Sequence, residues 1–277
     1  MTGMQTMTVS GNVTDHRFAV VMPVYEDREA STRLLKELFA EYGNRPHVVI
    51  VDDGSLHQPV QLQVLKDVGL SGVVIRLKRN VGHQRAIAIG LNYVADTHPD
   101  MPCTVVMDSD GEDTPQSIRQ LVTPLSAPNV DVVVAQRKSR VETLRFKAFY
   151  LVYKALFQLL TGRKISFGNF MALKPAALKR LAAMQELWMH VAACALTSKL
   201  RMQTIPLDRG PRYAGKSKMN FVGLALHGFR ALMVFAEDVL VRVGIICAFV
   251  AVTTVLASIV AIGLKLASFA TPGWFSV

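Results

Sequence analysis

Cysteine is scarce in this chain, and its three cysteines, Cys103, Cys194 and Cys247, stand far apart with none of the paired spacings that hold zinc. That argues for neither disulfides nor a zinc centre. The first 16 residues, MTGMQTMTVSGNVTDH, lack the apolar core of a secretory signal and read as a disordered lead, in keeping with a cytoplasmic domain. Acidic residues are outnumbered, 21 against 31 lysines and arginines, for a net charge of +10. No groove-reading or base-stacking motif accompanies that excess, so nucleic acid is not the expected partner. Charge is missing altogether between Val243 and Leu264, VGIICAFVAVTTVLASIVAIGL, and about 20 apolar residues suffice to cross a bilayer core.

The 277 residues are 51% hydrophobic with a mean hydropathy of +0.28, high for a purely soluble protein. The excess sits at the C-terminus, where a membrane helix is expected over 239–266, preceded by an interfacial helix over 219–238 and followed at 267–277 by a tail or the start of a second span. Arg230 and Arg242 precede the span and Lys265 closes it. The bias puts the large N-terminal domain in the cytoplasm, at the inner face of the cell membrane. Basic residues gather at Arg137, Lys138, Arg140, Arg145 and Lys147, and again at Lys199, Arg201, Arg209, Arg212, Lys216 and Lys218, beside amphipathic segments. Anionic headgroups attract such clusters. Phe146, Phe149, Tyr150, Tyr153 and Phe157 interleave with the first cluster as in a helix lying in the bilayer interface, or in one packed on the sheet with a solvated basic face.

Between these ends the pattern is a doubly wound α/β sheet. Apolar strands are expected near 18–24, 47–51, 72–77, 103–107 and 131–135, with helices near 29–42, 58–68, 83–97 and 115–126. Continuous valine and isoleucine runs read as strands buried on both faces of a parallel sheet. Two of them end in acid: His47-Val48-Val49-Ile50-Val51 runs into Asp52-Asp53-Gly54-Ser55, and Val105-Val106-Met107 into Asp108-Ser109-Asp110-Gly111-Glu112-Asp113. In a parallel sheet both tips emerge at one edge, which points to one site.

Asp108 and Asp110, two residues apart in extended chain, share a face and can approach one hard divalent cation, directly or through water. Asp-Asp-Gly-Ser alone is a turn, and it gains weight from its companions. Arg79-Asn80-Val81-Gly82-His83-Gln84-Arg85 opens a helix, whose N-terminus and arginines suit phosphate, although Gly82 by itself could merely shape the turn. His83 reads as a helix-start or phosphate contact rather than a metal ligand, because no second histidine has ligand spacing. Asp113 reads as a helix N-cap ahead of Pro115.

The order VVMPVYED, VIVDDGS, RNVG, MDSDGED resembles the family 2 glycosyltransferases of GT-A fold. GNFMALK at Gly168 to Lys174, RYAGKSKMNF from Arg212 and the C-terminal span make the chain similar to the polyprenyl-phosphate glycosyltransferases within them, over about residues 17–266. The resemblance implies a catalytic domain over 17–218. In it Pro23, Tyr25 and Glu26 line the nucleotide pocket, Asp52 contacts base or ribose, and Asp108 and Asp110 form the DxD motif that holds Mg2+ or Mn2+ against the donor diphosphate. Arg212, Ser217 and Lys218 match a late loop that closes near the donor and acceptor phosphates, and Arg137 matches an arginine after the fifth strand. Asp110, Arg212 and Lys218 are the expected catalytic residues. Gly111-Glu112 departs from the relatives' D-x-D-x-Q-D, and His83-Gln84-Arg85 stands where they often place lysine, which puts the sugar in doubt but not the reaction class.

The expected activity is inverting transfer of a sugar from a nucleotide sugar to a polyprenyl phosphate at the membrane; a homo-oligomer is compatible with the sequence. A hydroxyl acceptor is the alternative, with Glu112 or Asp113 as candidate bases. A nucleotidyltransferase would carry a glycine-rich loop that residues 22–30 lack. A silent membrane scaffold would be indifferent to Asp110→Asn.

Overall fold

Apolar runs without polar interruption build the centre of the sheet in the computed structural model, which describes residues 4–9, 18–137, 154–163, 167–213 and 221–266. The order is β1 (Met4–Val9), β2 (Phe18–Val24), α1 (Arg28–Tyr42), β3 (Pro46–Asp52), α2 (Gln63–Val68), β4 (Ser71–Leu77), α3 (His83–Thr97), β5 (Thr104–Val106), α4 (Pro115–Val122) and β6 (Val132–Arg137). Helical residues 154–161 (α5) follow, then β7 (Met171–Leu173), α6 (Pro175–Ala182), α7 (Val191–Thr197), β8 (Met202–Leu207), α8 (Phe221–Met233) and α9 (Ala236–Leu266).

Side by side the strands run β1-β4-β3-β2-β5-β7-β6-β8. Only β1 and β7 run against the rest. The chain steps from β2 through β3 to β4 in one direction and then returns to place β5 on the other side of β2. In an open α/β sheet that reversal marks the crevice where ligands bind, at the carboxyl ends of the strands. Alternate residues feed two cores. Val20, Met22 and Val24 pack under α1, α2 and α4, while Ala19 and Val21 pack under α3, α6 and α7. A Cβ on Gly90 of α3 would lie 2.4 Å from Val21 Cγ1, so the missing side chain lets α3 rest on β2. That approach delivers His83, the first residue of α3, to the carboxyl edge.

Four expectations need correction. Met4–Val9, inside the lead expected to be disordered, pairs antiparallel with β4; an open edge satisfies its backbone groups by pairing, whatever the polarity of the incoming side chains. The rest of the lead lies outside the described residues. The helix expected from 58 starts only at Gln63, because the N–H groups of Gln58 and Val60 donate to the carboxylates of Glu26 and Asp52. The helix expected to reach 126 gives way at Thr123 to a 3-10 turn through Pro124, which has no N–H to continue it. Its N-cap is Thr114, not Asp113.

Where one helix over 219–238 and a second over 239–266 are expected, the described helices are α8, ending at Met233, and α9, beginning at Ala236. Val234 and Phe235 form a turn between α8 and α9 and are buried with Phe157, Ala193 and Ala231; Phe235 meets Phe157 edge to face at 5.7 Å. This satellite core ties the C-terminal helices to α5 and α7. None of α9 is buried, and it is the one helix among the described residues long and apolar enough to cross a membrane. Its uncharged stretch from Val243 to Leu264 is about 33 Å long, against about 30 Å of hydrocarbon.

Candidate active site

Backbone hydrogen bonding opens the crevice between β2 and β5. Ala19 N donates to Cys103 O and Met107 N to Val21 O, at 2.9 and 3.1 Å, so the odd-numbered residues of β2 face β5. Pro23 would be next in that ladder, has no N–H, and falls where β5 has ended. The two strands part there, and the chain after β5 swings into the acid loop.

The tips of β2 and β3 are stitched together by their own carboxylates. Glu26, at φ 48°, takes N–H groups from Leu56, His57 and Gln58 at 2.6, 3.1 and 2.8 Å, and its N–H reaches Ser55 Oγ. Desolvation opposes ionisation of Glu26, but these three bonds hold its carboxyl below the ordinary range. Asp52, fully buried, accepts from Ser55 N and Val60 N, both at 2.9 Å. Asp53 accepts from Val81 N and Gly82 N at 2.7 and 3.0 Å, anchoring the loop that opens α3. The turn reading of Asp-Asp-Gly-Ser therefore describes what these side chains do. Asp52 offers a ligand a rigid loop, with both carboxylate oxygens committed to that loop.

The acid loop after β5 is folded by a similar device. Asp113 Oδ2 accepts from Asp108 N at 2.9 Å, and Asp110 Oδ1 from Glu112 N at 3.0 Å. The late loop then lies over it: Gly210 N donates to Glu112 O and Tyr213 N to Asp110 O, both at 3.0 Å. Arg212 Nη2 stands 2.5 Å from Asp110 Oδ2, and Arg209 Nη1 stands 2.7 Å from Glu112 Oε2. Burial first, and then the Asp108 charge, pushes the Asp110 carboxyl above its usual range despite Arg212. Tyr213 donates to Glu37 of α1, with the Arg33 guanidinium 4.2 Å above its ring.

Gly111 is the pivot of this contact. Its φ is +87°, and a Cβ there would lie 2.4 Å from the Tyr213 ring. Gly111→Ala is therefore expected to cost about 1–3 kcal/mol in backbone strain alone and to lift Tyr213 off the acid loop. A lowered apparent melting temperature with faster proteolysis near residue 213 is the readout, and an unchanged melting curve would count against the contact.

His83 completes the rim, with Nε2 3.2 Å from Asp108 Oδ1 and 3.2 Å from the Asn169 amide. Desolvation disfavours the imidazolium, but Asp108 above all, with Asp113 and Asp110, holds its pKa above the ordinary value. The structure places Pro23, Tyr25, Glu26, Asp52, Asp108 and Asp110 at or just after the carboxyl ends of β2, β3 and β5, and joins Arg212 to Asp110. Arg137 ends β6 at the same edge, and Ser217 and Lys218 lie outside the described residues. Arg209, Tyr213, Asp53 and Asn169, none of them an expected site residue, stand among these groups. Arg209 and Arg212, expected in a headgroup-facing cluster, are instead turned onto carboxylates.

The Asp108 and Asp110 carboxylates at the carboxyl edge offer the oxygen donors that Mg2+ and Mn2+ take, ions that fill their coordination with water and substrate phosphates. No cluster of three or more His, Cys, Asp or Glu side chains converges among the described residues. The donor set therefore fits an ion shared with a ligand rather than one caged by protein.

The model of the family described as "Glycosyl transferase family 2" matches residues 19–188. The chain belongs to that family. Among curated relatives, this family 2 chain is 27% identical over 214 residues to the undecaprenyl-phosphate 4-deoxy-4-formamido-L-arabinose transferase of Edwardsiella ictaluri, covering 74% of the chain and 64% of the relative. It is 26% identical over 132 residues to the dodecaprenyl-phosphate galacturonate synthase of Rhizobium johnstonii, covering 46% of the chain and 37% of that protein. The chain thus spans less than two thirds of the length of either. Among solved structures, glucosyl-3-phosphoglycerate synthase from Mycobacterium tuberculosis, in complex with Mn2+, UDP and glucosyl-3-phosphoglycerate, shares the fold at a TM-score of 0.57 and 15% identity over 82% of the chain and 81% of that protein. The GT-A expectation from the motif order holds for the family 2 chain.

Proposed function

We propose that this chain moves a glycosyl group, with inversion, from a nucleotide sugar to a polyprenyl phosphate at the cytoplasmic face of a membrane. The observation that carries the reading is the acid loop at the β2/β5 reversal, with Arg212 laid on Asp110, in a domain packed directly against a helix able to cross a bilayer. The names of the relatives support the acceptor class, since both are polyprenyl-phosphate enzymes with different sugars.

Asp108 and Asp110 would hold Mg2+ or Mn2+, which when bound supplies charge neutralisation for the departing nucleoside diphosphate. The Mn2+ in the complex of the fold neighbour supports that assignment. Arg212, with Lys218 as the second cation implied by the late-loop motif, would add positive charge where the leaving group gains negative charge. Tyr25, with Pro23 and the rigid Glu26/Asp52 loop, would border the nucleoside, and Arg137 and Ser217 the donor. The lipid phosphate oxygen attacks the anomeric carbon from the face opposite the diphosphate, while the bond from that carbon to the diphosphate oxygen breaks and its electron pair leaves with the nucleotide. A phosphate monoester, with a second pKa of about 6, is already ionised at neutral pH, so no protein base is needed.

A hydroxyl acceptor would need such a base. Glu112 is paired with Arg209, and Asp113 is buried and bonded to Asp108 N, so both candidates are engaged elsewhere. α9 is the membrane span in this reading, with exposed Leu226, Phe229 and Met233 of α8 resting in the interface. Offering the protein undecaprenyl phosphate and undecaprenol in parallel tests the acceptor: labelled sugar is expected on the phosphate alone, and labelling of the alcohol would favour the hydroxyl reading.

A further inference from the structure

The N-terminus of α3 collects more hydrogen-bond donors than the described residues around it use. Its N-cap, Gly82, provides no side chain, and the first N–H of α3 to reach back to a helical carbonyl is that of Ala86, at 3.0 Å from Gly82 O. The N–H groups of His83, Gln84 and Arg85 thus form an open first turn. Gln84 is 2% exposed. Its Oε1 accepts from Val191 N at 2.7 Å, which fixes the amide orientation and leaves Nε2 as a buried donor without an acceptor among the described residues. An unpaired buried donor is costly and calls for a partner.

Helix α8, which leads to α9, closes the other side. A Cβ on Gly82 would lie 3.6 Å from Arg230 Nη1, so this guanidinium stands over the α3 N-terminus. His190 Nδ1 accepts from Ala193 N at 3.2 Å and therefore carries its proton on Nε2, which donates to His227 Nε2 at 3.1 Å. Burial first, and then His227, drives the His190 pKa down to about 3. Two carboxylates flank the N-terminus of α3: Asp53, already bonded to Val81 N and Gly82 N, and Asp108, beside His83.

We infer that this nook between the N-terminus of α3 and α8 seats the phosphate monoester of the lipid acceptor, with Arg230, the open first turn of α3 and the Gln84 amide as its donors. A phosphate there satisfies the orphan amide and complements the positive end of the helix. It also lies beside His83 and Asp108, on the side where α8 brings Arg230, so a lipid would enter along α8 while the nucleotide enters from solvent. The inference rests on the lipid-phosphate reading of the reaction.

Initial rates in neutral-detergent micelles test it, with undecaprenyl phosphate and the sugar donor varied separately for wild type, Arg230→Gln and Arg230→Lys. Arg230→Gln is expected to raise the KM for undecaprenyl phosphate about tenfold, to leave the donor KM unchanged, and to be partly rescued by lysine. Inhibition by farnesyl phosphate should weaken in step, with farnesol and inorganic phosphate inert in every variant. An unchanged lipid KM in Arg230→Gln overturns the inference and leaves the function standing. An effect seen only when phosphatidylglycerol is added to the micelles also overturns it, because Arg230 then serves bulk anionic lipid. A wild type that binds nucleotide but glycosylates no lipid phosphate overturns the inference and the function together.

Discussion

Asp110→Asn is expected to lower glycosyl transfer by about a thousandfold without lowering thermal stability. The substitution keeps the shape of the side chain and its bond from Glu112 N but removes the charge that would share a divalent cation with the donor. Loss of a few kcal/mol of charge stabilisation at the leaving group corresponds to that factor. Stability should follow the opposite sign. Burial and the Asp108 charge raise the Asp110 pKa in the fold, so the ionised form is disfavoured there, and the stability this group contributes when protonated is lost as pH rises through the folded pKa. A neutral asparagine escapes that loss, offset in part by a weaker hold on Arg212. Transfer and melting measured on the same preparation separate a reacting role from a structural one, and a variant that unfolds as it loses activity would speak for structure alone.

Arg212→Gln should produce two effects of opposite direction. Arg212 touches Asp110 Oδ2 at 2.5 Å and lies 3.8 Å from Glu112 Oε2, so its guanidinium supplies positive charge at the acid loop. A divalent cation must share or displace it. Removing the guanidinium is expected to tighten Mn2+ binding in the absence of nucleotide by about tenfold, read by electron paramagnetic resonance. Turnover should fall by about a hundred- to a thousandfold, the usual loss when one donor to developing negative charge is removed. Arg212→Lys should recover part of the rate and little of the geometry, because ammonium lacks the planar fork. Mn2+ affinity equal to wild type would mean that Arg212 and the cation do not meet.

The parts of this chain that a sequence reveals are those whose signal is local. Val48 to Val51 and Val105 to Met107 are continuous apolar runs, and each became a central strand with its acidic tip on the expected edge. β7 is three residues of the Gly168 to Lys174 motif, too short for a period, and its place between β5 and β6 is set by pairing rather than by pattern. β1 was hidden because backbone pairing at an edge places little demand on side chains. The fate of individual carboxylates was the least legible: Asp52, Asp53 and Glu26 look like ligand contacts in one dimension and prove to hold loops. Arg209 and Glu112 meet across nearly a hundred residues, and nothing in the spacing of either announces the other. For Asp108, Asp110 and Arg212 the expectation came from motif order rather than from local periodicity, and the structure lays Arg212 on Asp110.

The central claim is tested most directly by following label from a panel of radiolabelled UDP-, GDP- and dTDP-sugars into the organic phase, using detergent-purified protein, undecaprenyl phosphate and Mn2+ or Mg2+. One donor class is expected to label the lipid, with the label lost on chelation of the cation and in Asp110→Asn. Nucleotide binding without any labelled lipid phosphate, across the whole panel, would contradict the account.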